Sequence, residues 1–238
     1  GRTIETDSWK KYADSILLAW QGGQEGGNSV IDILTGKVNP SGKLPMTFPL
    51  NLFDHASSSN FPMDGDPLDI RSLFIRNNDK PKEEQVKNKD YTNYEEGIYV
   101  GYRHFDKESL KVSYPFGYGL SYTTFEYKDL KLEKSNDIIN LNFKIKNTGD
   151  YKGKEVVQIY VSKINSSIDR PLKELKAFSK TRYLIQDETL GLDFSIPISD
   201  LSYWSEENKT WEFEPGLYSF EIGSSSRDIM LNQIIDIK

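Results

Sequence analysis

From Thr124 to the C-terminus, apolar and polar residues alternate with period 2. Ile139, Leu141, Phe143 and Ile145 alternate with Asn140, Asn142, Lys144 and Lys146. Val157, Ile159 and Val161 alternate with Gln158, Tyr160 and Ser162. Leu190, Leu192, Phe194, Ile196 and Ile198 repeat the pattern, as do Tyr218, Phe220 and Ile222 after Pro215-Gly216. Ile229, Leu231, Ile235 and Ile237 close the chain. This alternation turns one side of each segment toward a core and the other toward water.

About seven such segments over roughly 110 residues, punctuated by turns such as Asn147-Thr148-Gly149-Asp150, predict a β-sandwich of the immunoglobulin or fibronectin type III kind. The first half reads differently. Ser15 to Trp20 (SILLAW) is a continuous apolar run of strand length, suited to a strand covered on both faces. Gly22, Gly23, Gly26 and Gly27 follow as a turn. Asn28 is the expected N-cap of a helix with Val30, Ile31 and Leu34 on one side, and Gly36 fits the left-handed position after its last turn. Asn39-Pro40-Ser41-Gly42 and Pro45 then forbid regular structure. Upstream, Thr6 is expected to cap a helix running through Trp9 and Tyr12.

Residues 50–93 carry Ser57-Ser58-Ser59, Pro62, Pro67, Pro81 and a polar run, which predicts a long surface excursion, partly mobile. Order resumes at Tyr94, where Ile98, Val100 and Tyr102 alternate with Tyr99, Gly101 and Arg103. Pro115 to Leu120 is a turn-rich crossing. The expected fold class is therefore α/β plus all-β: a partial α/β sandwich with flavodoxin-like layers over residues 1–120, with its long loop at about 50–93, then a fibronectin type III-like β-sandwich over residues 121–238.

Composition narrows the function classes. The 238 residues carry 30 Lys plus Arg against 36 Asp plus Glu, a net charge of −6. An acidic chain with no basic cluster does not suit a phosphate backbone, so no nucleic acid is expected as partner. No apolar run approaches the ~20 residues of a membrane span. With no cysteine, disulfides, thiolate metal sites and cysteine nucleophiles are excluded, although the compartment is left open. The chain opens on Gly1-Arg2-Thr3-Ile4, already inside a pattern, and is read as a fragment or processed piece.

Candidate chemistry is sparse. GGQEGG, between strand and helix, could in principle cradle an anion. However, GxxxxGK[ST] is absent and Glu25 would repel phosphate, so a tight strand-to-helix turn is the simpler reading. Gln24 or Glu25 could line a sugar pocket, but one such residue does not make a site. Glycoside hydrolysis needs two carboxyl groups ~5 to 9.5 Å apart across one bond. Glu95 and Glu96, adjacent in a strand, would point to opposite faces. Asp64, Asp66 and Asp69 read as a solvated acidic loop, with a weak cation site as the alternative. His55 and His104 lack metal or triad spacing and read as surface or packing residues. Trp20, Tyr99, Tyr102, Tyr114, Tyr118 and Tyr122 could stack on sugars, though packing is the commoner use of such rings. Asn165-Ser166-Ser167 and Asn208-Lys209-Thr210 are glycosylation sequons, meaningful only in a eukaryotic secretory setting.

Several motifs, taken together and in order, resemble one family. WQGGQEGG, VIDILTGKVNPSGKLPMTFP, YEEGIYVGYRHFD and YPFGYGLSYTTFEY resemble the C-terminal half of glycoside hydrolase family 3, the β-glucosidase and β-xylosidase family. NTGDYKGKEVVQIYVS, RPLKELKAFSKTRYL and PGLYSFEIGSSSRDI resemble its fibronectin type III-like domain. The resemblance implies a retaining, exo-acting β-glycosidase that needs no cofactor or metal. In it an Asp on an N-terminal barrel attacks the anomeric carbon, and a Glu of the α/β domain protonates the leaving oxygen. That Glu usually follows a pattern like GEGxDR, absent from these residues. Glu5 and Glu25 do not match it, so no catalytic role is carried onto them and no substrate-binding residue is assigned. What carries over is structural: Gly22 to Gly27 as a turn, Asn39 to Pro45 as an exit loop, and Tyr94 to Asp106 as a strand. The implied partners are the barrel and the first part of the α/β domain, outside this chain, and the β-glucoside or oligosaccharide substrate of the full enzyme. The strand Ser15 to Trp20 would then have unpaired edges and uncovered apolar faces.

Overall fold

The computed structural model describes residues 3–59 and 94–238. Its larger part is the predicted sandwich. One antiparallel sheet has the order β11-β10-β5-β6, built from β5 (Val156–Lys163), β6 (Glu174–Lys180), β10 (Gly216–Ser225) and β11 (Asp228–Ile237). The other has the order β3-β4-β7, built from β3 (Phe125–Ser135), β4 (Ile138–Asn147) and β7 (Thr189–Pro197). Between them lies the core, with Ile139, Leu141, Phe143, Ile145, Val157, Ile159, Phe220 and Ile222 all at most 1% exposed. The alternating residues drive this arrangement, because only the inner side of each strand can leave water. β8 (Tyr203–Ser205) and β9 (Thr210–Glu212) form a separate hairpin.

Asn147 closes one end of the sandwich. It is fully buried, yet its amide is fully satisfied. Its Oδ1 accepts from Thr123 Oγ1 at 2.6 Å and from the Gly149 amide at 3.1 Å. Its Nδ2 donates to the carbonyls of Tyr151 and Leu184, both at 2.9 Å.

The first half contributes α1 (Gly26–Leu34), a two-stranded pairing of β1 (Phe48–Pro49) with β2 (Val112–Tyr114), and the short α2 (Tyr102–Lys107). Gly36 adopts φ +73° just past α1, as expected, and its amide donates to the Ile33 carbonyl at 2.9 Å. Three expectations are corrected. First, α1 begins at Gly26, so Asn28 lies inside its first turn, where it donates to Glu25 Oε2 at 2.6 Å. Second, only one 3-10 turn, Lys10–Tyr12, follows Thr6. The Thr6 carbonyl accepts from Trp9 and Lys10, while its hydroxyl pairs with Ser113 Oγ at 2.7 Å. Third, Tyr94 to Asp106 is not a strand but a turn leading into α2. Gly97 and Gly101 take left-handed φ values of +54° and +57°, which break an extended run, and the Gly101 carbonyl receives the first amides of α2.

Ser15 to Trp20 has no regular structure, because a strand exists only when it is paired. Of the predicted excursion, Leu52–Asp54 and Ala56–Ser59 form two 3-10 turns. The rest of it, with Asp64, Asp66 and Asp69, lies outside the described residues.

Candidate functional site

The two halves meet on the outer face of the four-stranded sheet, and most of the candidate aromatic residues are gathered there. Gln158 and Tyr160 were expected to face water. Instead they are 3% and 0% exposed, because the crossing segment and α2 lie over them. Gln158 Nε2 donates to the carbonyls of Gly117 (3.1 Å) and Ser224 (2.7 Å), while its Oε1 accepts from the Tyr160 hydroxyl at 2.6 Å. Gly117 has φ +81°, and a Cβ there would sit 2.0 Å from Gln158 Oε1. At Gly119 a Cβ would lie 2.1 Å from the Gly42 carbonyl oxygen. Glycine is required at both places by close approach, not merely by flexibility.

Charged pairs clamp the same seam. Lys43, on the exit loop, reaches Glu155 Oε1 and the Gly119 carbonyl, each at 3.0 Å. Burial pushes the Glu155 carboxyl above its ordinary value, and Lys43 only partly offsets this. From α2, Tyr102 Oη accepts the Leu175 amide at 2.8 Å, and its ring packs on Phe116 and Tyr160. Arg103 pairs with Glu174 at 2.9 Å, and Asp106 accepts from Arg227 at 3.0 Å. Asn39 Nδ2 donates to the Lys152 carbonyl at 3.0 Å, and its Oδ1 accepts from Ser121 Oγ and the Tyr122 amide.

The predicted site residues therefore have concrete places. Tyr102 and Tyr118 are seam packing, and the Tyr114 ring lies tilted against Tyr118 with centroids 5.1 Å apart. Tyr122 donates to the Ile33 carbonyl at 2.9 Å and so ties α1 to the crossing. The Tyr99 hydroxyl donates to Asp169 and its ring lies under Lys107 Nζ. Burial, with the Asp169 carboxylate, pushes Tyr99 up to about 12. Glu95 and Glu96 sit in a turn, not on a strand. Glu5 is held below the usual carboxylate range by Ser8, whose hydroxyl and amide donate to it at 2.6 and 2.8 Å.

The two histidines, 49 positions apart, are brought together, each edge-on to the buried Phe105 ring. His104 Nε2 donates to the Asp54 carbonyl at 2.9 Å, and burial with the nearby His104 lowers the His55 imidazole. No sequence signal announced this pairing, since the topology alone supplies it. Among the described residues no group of three or more His, Asp or Glu side chains could hold a metal ion, and no helix is long and apolar enough to cross a membrane.

The glycine turn remains. Glu25 is exposed and engaged with Asn28. Leu17, Leu18 and Ala19 face Val30 and Ile33 across an open trough of about 590 Å³. Trp20 is 42% exposed with φ +51°.

Residues 1–122 match the profile of the glycosyl hydrolase family 3 C-terminal domain, and residues 155–226 that of a fibronectin type III-like domain. The chain belongs to glycosyl hydrolase family 3. It is 38% identical over 233 residues to thermostable beta-glucosidase B of Acetivibrio thermocellus, covering 96% of this chain and 28% of the relative. It is 35% identical to an exo-alpha-(1->6)-L-arabinopyranosidase of Bifidobacterium breve, covering 96% of this chain and 27% of that one. Among solved structures, beta-glucosidase 3B from Thermotoga neapolitana in complex with alpha-D-glucose superposes with a TM-score of 0.84 at 41% identity, covering 98% of this chain and 30% of that one. This family 3 chain thus spans less than a third of the length of these relatives.

Proposed function

We propose that this chain is the C-terminal part of a retaining, exo-acting β-glucosidase. The whole enzyme hydrolyses terminal non-reducing β-D-glucosyl units, and its catalytic carboxylates lie outside these 238 residues. The match in order, along nearly the whole chain, to a beta-glucosidase carries this reading. We place the division at residue 120, where the crossing hands over to the period-2 pattern. Residues 1–120 belong to the α/β sandwich domain and residues 121–238 form the fibronectin-like domain.

A retaining mechanism needs two carboxyl groups ~5 to 5.5 Å apart, one as nucleophile and one as acid/base. Among the described residues the buried carboxylate, Glu155, is committed to Lys43, and the part-buried Asp106 and Glu174 to Arg227 and Arg103. The contribution of the chain is positional, because the seam fixes the exit loop and α2 to a rigid sandwich. The test is an aryl β-glucoside assay on the pure chain. No turnover above a control is expected, and clear turnover refutes the reading.

A second reading, a non-catalytic module that binds carbohydrate, draws on one observation. Trp204 and Trp211 face each other across the β8–β9 hairpin, 44% and 67% exposed, with ring centroids 5.7 Å apart. Cello-oligosaccharide titration monitored by tryptophan fluorescence tests it, and a flat signal removes it.

A further inference from the structure

The outer face of β5 and β6 continues past the seam to an open end. There Val156 pairs with Lys180 and Gln158 with Phe178, so Lys180 and Phe178 share the face of the buried Gln158. Phe178 is 68% exposed. It borders a groove of about 290 Å³ between the sheet and the exit loop, lined also by Leu44, Pro45, Leu175 and Lys180. Lys154 Nζ stands 4.3 Å from the centre of the Tyr183 ring, and Lys152 Nζ stands 5.7 Å from it. Tyr183 is 44% exposed. The neighbouring cations are spent, Lys43 on Glu155 at 3.0 Å and Arg182 on Glu188 at 2.6 Å. Lys152, Lys154 and Lys180 form no ion pair among the described residues. Burial, with the like charges of Lys154 and Lys43, lowers the Lys180 ammonium, and Glu155 offsets this only in part. A chain of net charge −6 thus carries an uncompensated positive strip beside two open aromatic rings.

We propose that this strip binds a carboxylated polysaccharide, a chain of uronic acid residues. The inference rests on the functional reading above for its ligand class, since a glycosidase works among polysaccharides. Phe178 offers a ring face on which the C–H side of a pyranose can stack. Lys180, two residues along the same strand face, offers an ammonium for a carboxylate of the same polymer. Tyr183 with Lys154 and Lys152 repeats that pairing of ring and cation. A ligand that repeats ring and carboxylate fits a strip that repeats ring and cation. An acidic peptide fits worse. Added as a strand it would need the free edge of β6, where the Leu175 amide already donates to Tyr102 Oη. Nucleic acid also fits worse, because three cations in an acidic chain hold a phosphate backbone weakly at physiological salt.

The experiment is affinity electrophoresis of the 238-residue chain, and of the full-length enzyme, through native gels containing polygalacturonate. Fully methyl-esterified polygalacturonan removes the charge and keeps the rings, and poly-L-glutamate keeps the charge and removes the rings. Polygalacturonate is expected to retard both proteins, and each of the other two polymers to bind about tenfold more weakly. Lys154→Gln combined with Lys180→Gln is expected to weaken retardation about tenfold, and Phe178→Ala about fivefold. Phe178→Tyr keeps the ring and should bind like the parent, as should Lys144→Gln, a charge-matched change on the other sheet. The inference is overturned if polygalacturonate does not retard the chain, or if the double lysine variant or Phe178→Ala binds like the parent. It is also overturned if poly-L-glutamate binds equally well, which marks a peptide or an unselective polyanion site. Equal binding of the ester overturns it too. Loss of retardation in the full-length enzyme does the same, because it marks the strip as covered there. Aryl β-glucoside turnover separates the two claims. Turnover by the pure chain sinks the functional reading and leaves measured polygalacturonate binding intact, whereas an inactive chain that ignores polygalacturonate sinks this inference alone.

Discussion

Gly117→Ala is the sharpest single test of the seam. Gly117 has φ +81°, and its added Cβ would lie 2.0 Å from Gln158 Oε1. Holding an L-residue in the left-handed region costs about 1–2 kcal/mol. The clash is too close to survive, so Gln158 must swing away. It then loses its bonds to the Gly117 and Ser224 carbonyls and the one it accepts from Tyr160. At about 1 kcal/mol net for each of the three, that is about 3 kcal/mol more. The stiffer unfolded chain returns about 0.5 kcal/mol, leaving roughly 4. At about 1.4 kcal/mol per decade, seam amides should exchange about a thousandfold faster. The reporters are the amides of Leu44, Gly117 and Ser226, which donate to Tyr118, Leu44 and Phe116 across or along the seam. β4 amides in the sandwich interior serve as the internal reference. Gln158→Ala alone should account for about 3 kcal/mol of the loss. The two changes must then be strongly non-additive, because removing the Gln158 side chain removes the clash. The double variant should be no worse than Gly117→Ala. Acceleration below tenfold in Gly117→Ala, or additive effects in the double variant, refutes the reasoning.

Three further outcomes follow from the same contacts. Lys43→Met strands Glu155 in a buried site and should destabilise by about 3–5 kcal/mol at pH 7 in urea unfolding. Because the folded-state pKa of Glu155 is raised, its protonated form stabilises the fold below the ordinary value of 4.5. That stability is lost as pH rises through the folded value, so the Lys43→Met deficit should shrink on acidification; a pH-independent deficit argues against the assignment. Asn147→Ala removes four satisfied hydrogen bonds from a fully buried site and should cost about 4 kcal/mol by thermal unfolding, and a loss below 1 kcal/mol contradicts the network. Tyr99 should titrate near 12 in an NMR-monitored titration. Asp169→Asn should lower that value, and an unchanged titration rules out the Asp169 contact.

The sandwich was legible because its strands obey a local rule. In β4, Ile139, Leu141, Phe143 and Ile145 point inward at every second position, and each is at most 1% exposed. Tyr94 to Asp106 shows the limit of that rule. Ile98, Val100 and Tyr102 alternate as a strand would, but no neighbour offers a ladder and two glycines at positive φ bend the chain into α2. Alternation states which side a residue prefers, not whether a pairing partner exists. The packing partners of the aromatic residues were not legible for a related reason. Tyr102 and Tyr160 meet across 58 positions of sequence, and no local pattern encodes such a contact.

The outer face of β5 carries the same lesson further. Gln158 and Tyr160 occupy positions that period 2 assigns to water, yet both are buried. Their polarity is explained by the seam: a backbone carbonyl at Gly117 requires a donor, and Gln158 supplies it. Polar residues on an outward face are thus consistent either with water or with a polar docking surface, and only the fold distinguishes the two. Ser15 to Trp20 is the converse case. Its residues are apolar on both sides, a pattern that water does not explain and that no contact within the described residues satisfies. A face that is polar yet buried has already found its partner within this chain. A segment that is apolar yet exposed, as Ser15 to Trp20 is, has no backbone hydrogen bond among the described residues, so its pattern states a preference that the rest of this chain does not meet.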